Sequence, residues 1–200
     1  MKNIEIIIAS GNVDKLREYK KLFEGLPIKV TTIKNEGLTL DVEETGTTFE
    51  ENALIKANYI ANKTEKIVIS DDSGICVHAL NDFPGIYSAR FMEGHDYKER
   101  NLKLNEMLEE HADKTAHYTC VIVFVSKHEG ICKSFVGECY GKIVNPIEGP
   151  YGFGYDPIFV PNGEDKPFSL ITDENKNKIS HRGIASMKLI EYLHEYLKES

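Results

Sequence analysis

The chain lacks any run of about 18 consecutive apolar residues, and no basic stretch leads into an apolar segment near its start. A membrane-spanning helix and a cleavable secretory leader are therefore not expected, and the reading is of a cytoplasmic protein with no membrane partner. Cysteine is scarce. Cys76, Cys120, Cys132 and Cys139 form no CxxC pair and stand in apolar or strand-like surroundings, which argues against a zinc ribbon or a disulfide framework and for buried free thiols. The seven histidines are scattered and form no HExxH motif. Internal repeats, low-complexity segments and a separate linker are also missing, so the 200 residues, 41% hydrophobic and 28% charged, read as one domain spanning 1–200, or two closely packed lobes. Positive charge is in short supply too. A net charge of -8 argues against a general nucleic-acid surface, and an anionic ligand would have to meet a locally basic site.

What is present centres on residues 67–74, IVISDDSG. Ile67, Val68 and Ile69 read as a buried central strand, a short β-branched run bounded by polar residues. On that reading the strand ends before Asp71, Asp72 and Ser73, which lie at its carboxyl end. Ligands bind at that edge of open α/β sheets, and these side chains offer hard oxygens to Mg2+ and a phosphate. A solvated turn accounts for the same residues equally well.

Residues 4–9, IEIIIA, predict an opening strand, followed at once by Ser10, Gly11 and Asn12. Val13, Leu16, Leu22 and Phe23 then recur at roughly helical spacing. Strand, tight turn and helix suit an anion, because a helix amino terminus offers unbonded N–H groups, glycine lets the backbone approach, and Lys15 can reach back. The string is not a Walker loop, and a capped surface helix is the plain alternative. Residues 28–33 predict a further strand. Thr48 and Glu51 have capping-box spacing at the head of a helix with Phe49, Ala53, Ala57 and Ile60 on one face. Strand, helix and strand favour parallel pairing with a right-handed crossover, which brings Glu43 and Asp72 to one end of the sheet, where they can share a metal. Lys56, one position off the apolar stripe, is either a phosphate ligand or a solvated lysine.

Beyond residue 74 the pattern predicts a strand over 75–80, then a loop over 82–91 turned by Pro84 and Gly85 and carrying Arg90. Asp96 and Glu99 predict a capped helix to about residue 110, with Leu102, Met107 and Leu108 inward. Residues 117–126 and 131–144, separated by KHEG, read as an antiparallel hairpin, which makes the sheet mixed. Over 149–159 glycines alternate with aromatics. Such a stretch is a Gly-rich turn, or a place where backbone meets ligand and Phe153 gives a purine a face to stack on. Lys176, Lys178, His181 and Arg182 gather at the head of a final helix with Ile184, Met187 and Leu193 inward. Basic residues there oppose the macrodipole, and a bound anion would account for them.

These strings, in order, resemble the motif series of the inosine triphosphate pyrophosphatase family, the Ham1-like non-standard purine NTP pyrophosphatases. The strings are Ser10-Gly11-Asn12-x-x-Lys15, Glu43-Glu44-Thr45-Gly46, Phe49-x-Glu51-Asn52-Ala53-x-x-Lys56-Ala57, Asp71-Asp72-Ser73-Gly74, Pro84 to Arg90, Phe153-Gly154-Tyr155-Asp156-Pro157 and Ser180-His181-Arg182-Gly183. The resemblance covers nearly the whole chain. It implies an elongated two-lobed α/β fold with a central mixed β-sheet flanked by helices, an active-site cleft between the lobes, and a homodimer.

The resemblance also implies Mg2+-dependent cleavage of ITP, dITP and XTP to the monophosphate and pyrophosphate. Carried over by position, Ser10, Gly11, Asn12, Val13, Asp14 and Lys15 hold the triphosphate, with Lys56 and Arg90 as further substrate contacts. Glu43 and Asp72 hold the metal, Asp72 is also the base, and Ser73 touches substrate. Phe153, Gly154, Tyr155, Asp156, Lys176, His181 and Arg182 build the base pocket. Ser10 departs from the threonine of many members but keeps the hydroxyl. Lys178 competes with Lys176 for its role, and Asp71 with Asp72 for that of base. Donors aimed at the 6-carbonyl, from Arg182 or backbone N–H groups, would meet the adenine amino group donor to donor and so reject ATP. A Maf-type nucleotide pyrophosphatase and a nucleotide sensor without turnover are the alternatives, and the set Lys15, Glu43 and Asp72 speaks against the sensor.

Overall fold

Alternation along three neighbouring strands sets the layers. A computed structural model describes residues 4–199. It contains β1 (Ile4–Ile8), α1 (Val13–Leu22), β2 (Ile28–Thr32), α2 (Phe49–Ala61), β3 (Ile67–Val77), β4 (Phe83–Pro84), α3 (Tyr97–Met107), β5 (Thr115–Ser126), β6 (Ile131–Ile143), β7 (Phe159–Pro161), α4 (Asp173–Ile179) and α5 (His181–Glu199). Side chains alternate across a strand, so Ile4, Ile6 and Ile8, Ile67 and Ile69, and Cys120, Ile122 and Phe124 share one core with Tyr19 and Phe23 of the α1 region and Ala185, Leu189 and Leu193 of α5. The intervening Ile7, Val68, Val121, Val123 and Val125 face the other way, onto Ala53, Ala57, Ile60 and Ala61 of α2. The result is a sheet covered on both faces, as expected of a mixed α/β fold.

The strand order is β2-β1-β3-β5-β6-β7, with β4 paired to β3, seven strands among the described residues. β1 pairs in parallel with β2 and with β3, whereas β3–β4 and β6–β7 are antiparallel. β5 and β6 are neighbours joined through the four residues 127–130, too short for a parallel crossover, and so form the expected hairpin. The chain divides into two compact units. One takes in the chain up to Asp72, Cys120–Gly137 and the chain from Arg182 on; the other is Ser73–Thr119 with Glu138–His181. The second unit has its own core, built from Ile75, Val77, Leu104, Leu108, Tyr118, Ile143, Phe159 and Phe168 among others.

Several expectations need correction. β3 does not stop at Ile69 but runs through the DDSG residues to Val77. Its polar residues mimic a turn in the sequence, yet their partners lie on other elements. The parallel neighbour β1 does end there, in register with Ile69, so Asp71 and Asp72 lie just past the carboxyl end of the β1–β3 pair. On α3 the capping box of Asp96 and Glu99 is present, but Leu102 is 53% exposed and Leu104 and Leu108 are the buried pair. On α5 Met187 is 52% exposed, while Ala185, Leu189 and Leu193 carry the inward stripe. Lys176 and Lys178 belong to a separate short helix, α4, whose few residues were too polar to read as one.

Candidate active site

In the first unit the turn after β1 is organised by its own side chains. Ser10 Oγ accepts from the Asn12 amide at 3.1 Å, and Asn12 Oδ1 caps α1 by accepting from the amides of Asp14 (2.9 Å) and Lys15 (3.1 Å). Gly11, Asn12 and Val13 are exposed at this turn. Lys15 extends from the first turn of α1 to Asp71 Oδ2, 2.9 Å away.

Asp71 is the anchor of a buried charge cluster. Its Oδ2 also accepts from Arg182 Nη2 at 3.2 Å and from the Cys120 thiol at 3.7 Å. Burial alone would raise its carboxyl, but Lys15, then Arg182 and Lys56, outweigh it and hold the group well below the usual carboxylate range. Asp71 Oδ1 is buried with no hydrogen-bond partner among the described residues. Asp72, the next residue, is held more loosely, by Asn52 Nδ2 at 3.3 Å and Lys56 Nζ at 3.4 Å. Burial raises its carboxyl, only partly opposed by Lys56 and Lys15, and Glu44 and Asp71 add to the rise. Adjacent carboxylates are thereby given opposite characters.

Lys56 is not the solvated lysine of the sequence alternative. It is buried on α2, 2.9 Å from Glu44 Oε2 as well as close to Asp72. Burial pulls its ammonium down, but Asp72, Asp71 and Glu44 together hold it above its ordinary value, so it stays charged. Glu43, expected as a metal ligand, is exposed, and it is Glu44 that meets Lys56. Asn52, which the sequence offers only as one member of a motif string, accepts from the Gly46 amide at 2.9 Å and so ties the Glu43–Gly46 string to Asp72. An asparagine on the inner face of a predicted helix was the available signal.

Arg182 is the main departure. Expected to read a base, its guanidinium is 2% exposed, with Nη1 donating to Glu18 Oε2 at 2.5 Å and Nη2 to Asp71. A guanidinium buried at a helix start needs carboxylates to offset its lost hydration, and Glu18 of α1 supplies the second. Lys15, Lys56 and Arg182 thus face Glu18, Glu44, Asp71 and Asp72. The orphaned Asp71 Oδ1 next to the loosely held Asp72 offers hard oxygens that fit a divalent cation of the Mg2+ class.

In the second unit the turn at 152–156 is held by Asp156. Its Oδ2 accepts from the Phe153 amide and from Lys176 Nζ, both at 2.7 Å. Gly152 (φ 73°) and Gly154 (φ 67°) take left-handed backbone conformations, and a Cβ on Gly152 would come within 2.3 Å of Asp156 Oδ2. Lys176 Nζ lies 4.7 Å from the centre of the half-buried Phe153 ring. Lys178 pairs with Glu174 at the surface instead, which separates the two lysines. Tyr155 donates to the Ser88 carbonyl at 2.7 Å, and His181 stacks on Tyr118 at 4.5 Å with the rings 8° from parallel. Arg90 is exposed beside Tyr87, and Ser73 continues β3 from Asp72. A cavity of about 240 Å³ is bordered by Tyr97, Asn101, Gly149, Tyr151, Phe153 and Gly154.

A family model described as the Ham1 family matches residues 6–192. The chain is 41% identical over 201 residues to a dITP/XTP pyrophosphatase of Caldanaerobacter subterraneus, covering 98% of this chain and 100% of that one. It is 40% identical over 192 residues to a dITP/XTP pyrophosphatase of Bacillus subtilis, covering 94% and 96% of the two chains. Among solved structures it is similar to the Ham1 protein of Staphylococcus aureus, with a TM-score of 0.86 and 39% identity over 96% of this chain and 99% of that one. A HAM1 protein from Coxiella burnetii superposes with a TM-score of 0.88 at 37% identity over 96% and 99%.

Proposed function

The chain belongs to the Ham1 family, and from that premise we propose that it is a hydrolase cleaving dITP, XTP and ITP to the monophosphate and pyrophosphate. The observation that carries the reading is the pair Asp71 and Asp72. One carboxylate is locked ionised by Lys15 and Arg182, and the other is raised by burial next to Lys56. Asp72, held only by the longer contacts to Asn52 (3.3 Å) and Lys56 (3.4 Å), is the carboxylate free to take the proton of the attacking water, and Asp71, 2.9 Å from Lys15, positions that lysine. Lys15 and the open backbone of Gly11 to Val13 receive the triphosphate, whose bridging bond from the α-phosphorus to pyrophosphate breaks as water adds. Positioning and charge stabilisation carry most of that barrier.

Asp72 and the exposed Glu43 would hold Mg2+, which would supply charge neutralisation for the phosphates when bound. The turn Phe153–Asp156, with Lys176 and His181, recognises the base. Backbone groups freed by Gly152 and Gly154 read its edge, and Arg182 acts through Asp71 instead. Four free thiols accord with a cytoplasmic setting. The test is Mg2+-dependent pyrophosphate release from ITP, dITP and XTP beside GTP and ATP. Turnover of the deaminated nucleotides in preference to ATP and GTP is expected, and equal or absent turnover overturns the reading.

A further inference from the structure

Two of the scattered histidines, neither of them part of the charge cluster, meet in the second unit. His78, in the turn that leaves β3, and His117, on β5, place His78 Nε2 and His117 Nδ1 2.8 Å apart. Asp82 joins them: one donor atom from each of the three residues lies within 4.8 Å of the other two. All three belong to the second unit.

The surrounding hydrogen bonds define the state of each ring. Thr115 Oγ1 donates to Asp113 Oδ1 at 2.6 Å, so toward His78 Nδ1, 2.8 Å away, the hydroxyl can only accept. His78 therefore carries its proton on Nδ1 and presents a bare Nε2. A metal-binding histidine is oriented in just this way, its outer N–H given to an oxygen that is itself held by a carboxylate. His117 is oriented by stacking on Tyr140, with ring centres 5.1 Å apart and planes 26° from parallel. Asp82 follows Asn81 in a turn where both take left-handed backbone conformations (φ 61° and 53°), which Asn and Asp tolerate.

We propose that His78, Asp82 and His117 form a binding site for a first-row transition-metal dication of the Zn2+ class, separate from the Mg2+ chemistry of the active site. Imidazole nitrogens suit zinc, cobalt, nickel or copper rather than Mg2+, which takes oxygen. Bonds of about 2.0–2.1 Å in a tetrahedron set ligand atoms roughly 3.4 Å apart. The two nitrogens at 2.8 Å need open only slightly, and the ion replaces the proton they share as His117 passes to its Nε2–H tautomer. Three protein ligands leave one position for water. The ion would clip the 78–82 turn to β5.

The test is titration of the whole chain with Co2+, in excess Mg2+, followed by visible absorption, with Zn2+ as competitor. One Co2+ per chain, displaced by Zn2+, is expected at neutral pH, with binding weakening as pH falls through the imidazole range. His78→Gln and His117→Gln should each abolish it, and Thr115→Val, which keeps all three ligands, should weaken it about 10–100-fold. Cys132→Ser should leave it unchanged. Zn2+ should raise Tm in the wild type and not in His117→Gln. Absence of binding, undiminished binding in both histidine variants, or loss in Cys132→Ser would overturn the site, whatever the substrate panel gives.

Discussion

At the residue scale, neighbouring carboxylates on one strand acquire opposite characters because their surroundings differ. Asp72→Asn should remove turnover while binding of ITP persists, since the triphosphate grip proposed for Ser10 to Lys15 is built from other side chains; single-turnover kinetics beside equilibrium binding separate the two. Asp71 behaves oppositely with pH. Its depressed carboxyl contributes stability that is present above the ordinary value of about 4 and is lost as pH falls through the folded value. Asp72, raised, favours folding at low pH and loses that contribution as pH rises through its folded value. Asp71→Asn should thus be destabilised at pH 7, with the gap to wild type narrowing below about pH 4 in urea titrations. Arg182→Ala removes the buried cation between Glu18 and Asp71 and should cost about 3–5 kcal/mol. It should slow ITP and ATP hydrolysis in the same proportion; selective loss of ITP hydrolysis would return Arg182 to base reading.

At the element scale, the turn between Gly152 and Asp156 tolerates little change. Gly152→Ala places a methyl against the Asp156 carboxylate in a left-handed conformation that itself costs about 1–2 kcal/mol. KM should rise more than kcat falls, because Asp156 then releases the Phe153 amide and Lys176. By contrast, Thr48→Ala at the head of α2 removes a single cap and should cost only about 1 kcal/mol, visible in the urea midpoint with little change in kcat.

At the scale of the whole molecule, one thiol in four is accessible. Cys132 is exposed, while burial pushes Cys76, Cys120 and Cys139 up to about 12. Ellman titration of native protein should count one fast thiol and three more after unfolding. The family resemblance suggests a homodimer, and Tyr87, Tyr140 and Ile147 are among the large exposed side chains available to an interface. Sedimentation at micromolar concentration checks it, and a monomer would count against it.

The sequence by itself determined what depends on near neighbours: the isoleucine strands, the caps at Asn12, Thr48 and Asp96, and the ordered strings that place the chain in its family. Periodicity reports which face of an element is apolar, and capping reports where it begins. Only the tertiary structure decided what a buried polar residue is for. Whether Asp71 and Asp72 end a strand or lie within one depends on Lys15, Lys56 and Arg182, brought from α1, α2 and α5. The same holds for Arg182, whose guanidinium is buried between Asp71 and Glu18, the latter 164 residues away in the chain. It holds for His78 and His117, scattered in the chain and in hydrogen-bond contact in the fold. Charge pairing acts over ångströms of space, and no local pattern in a sequence encodes which distant elements will close that distance.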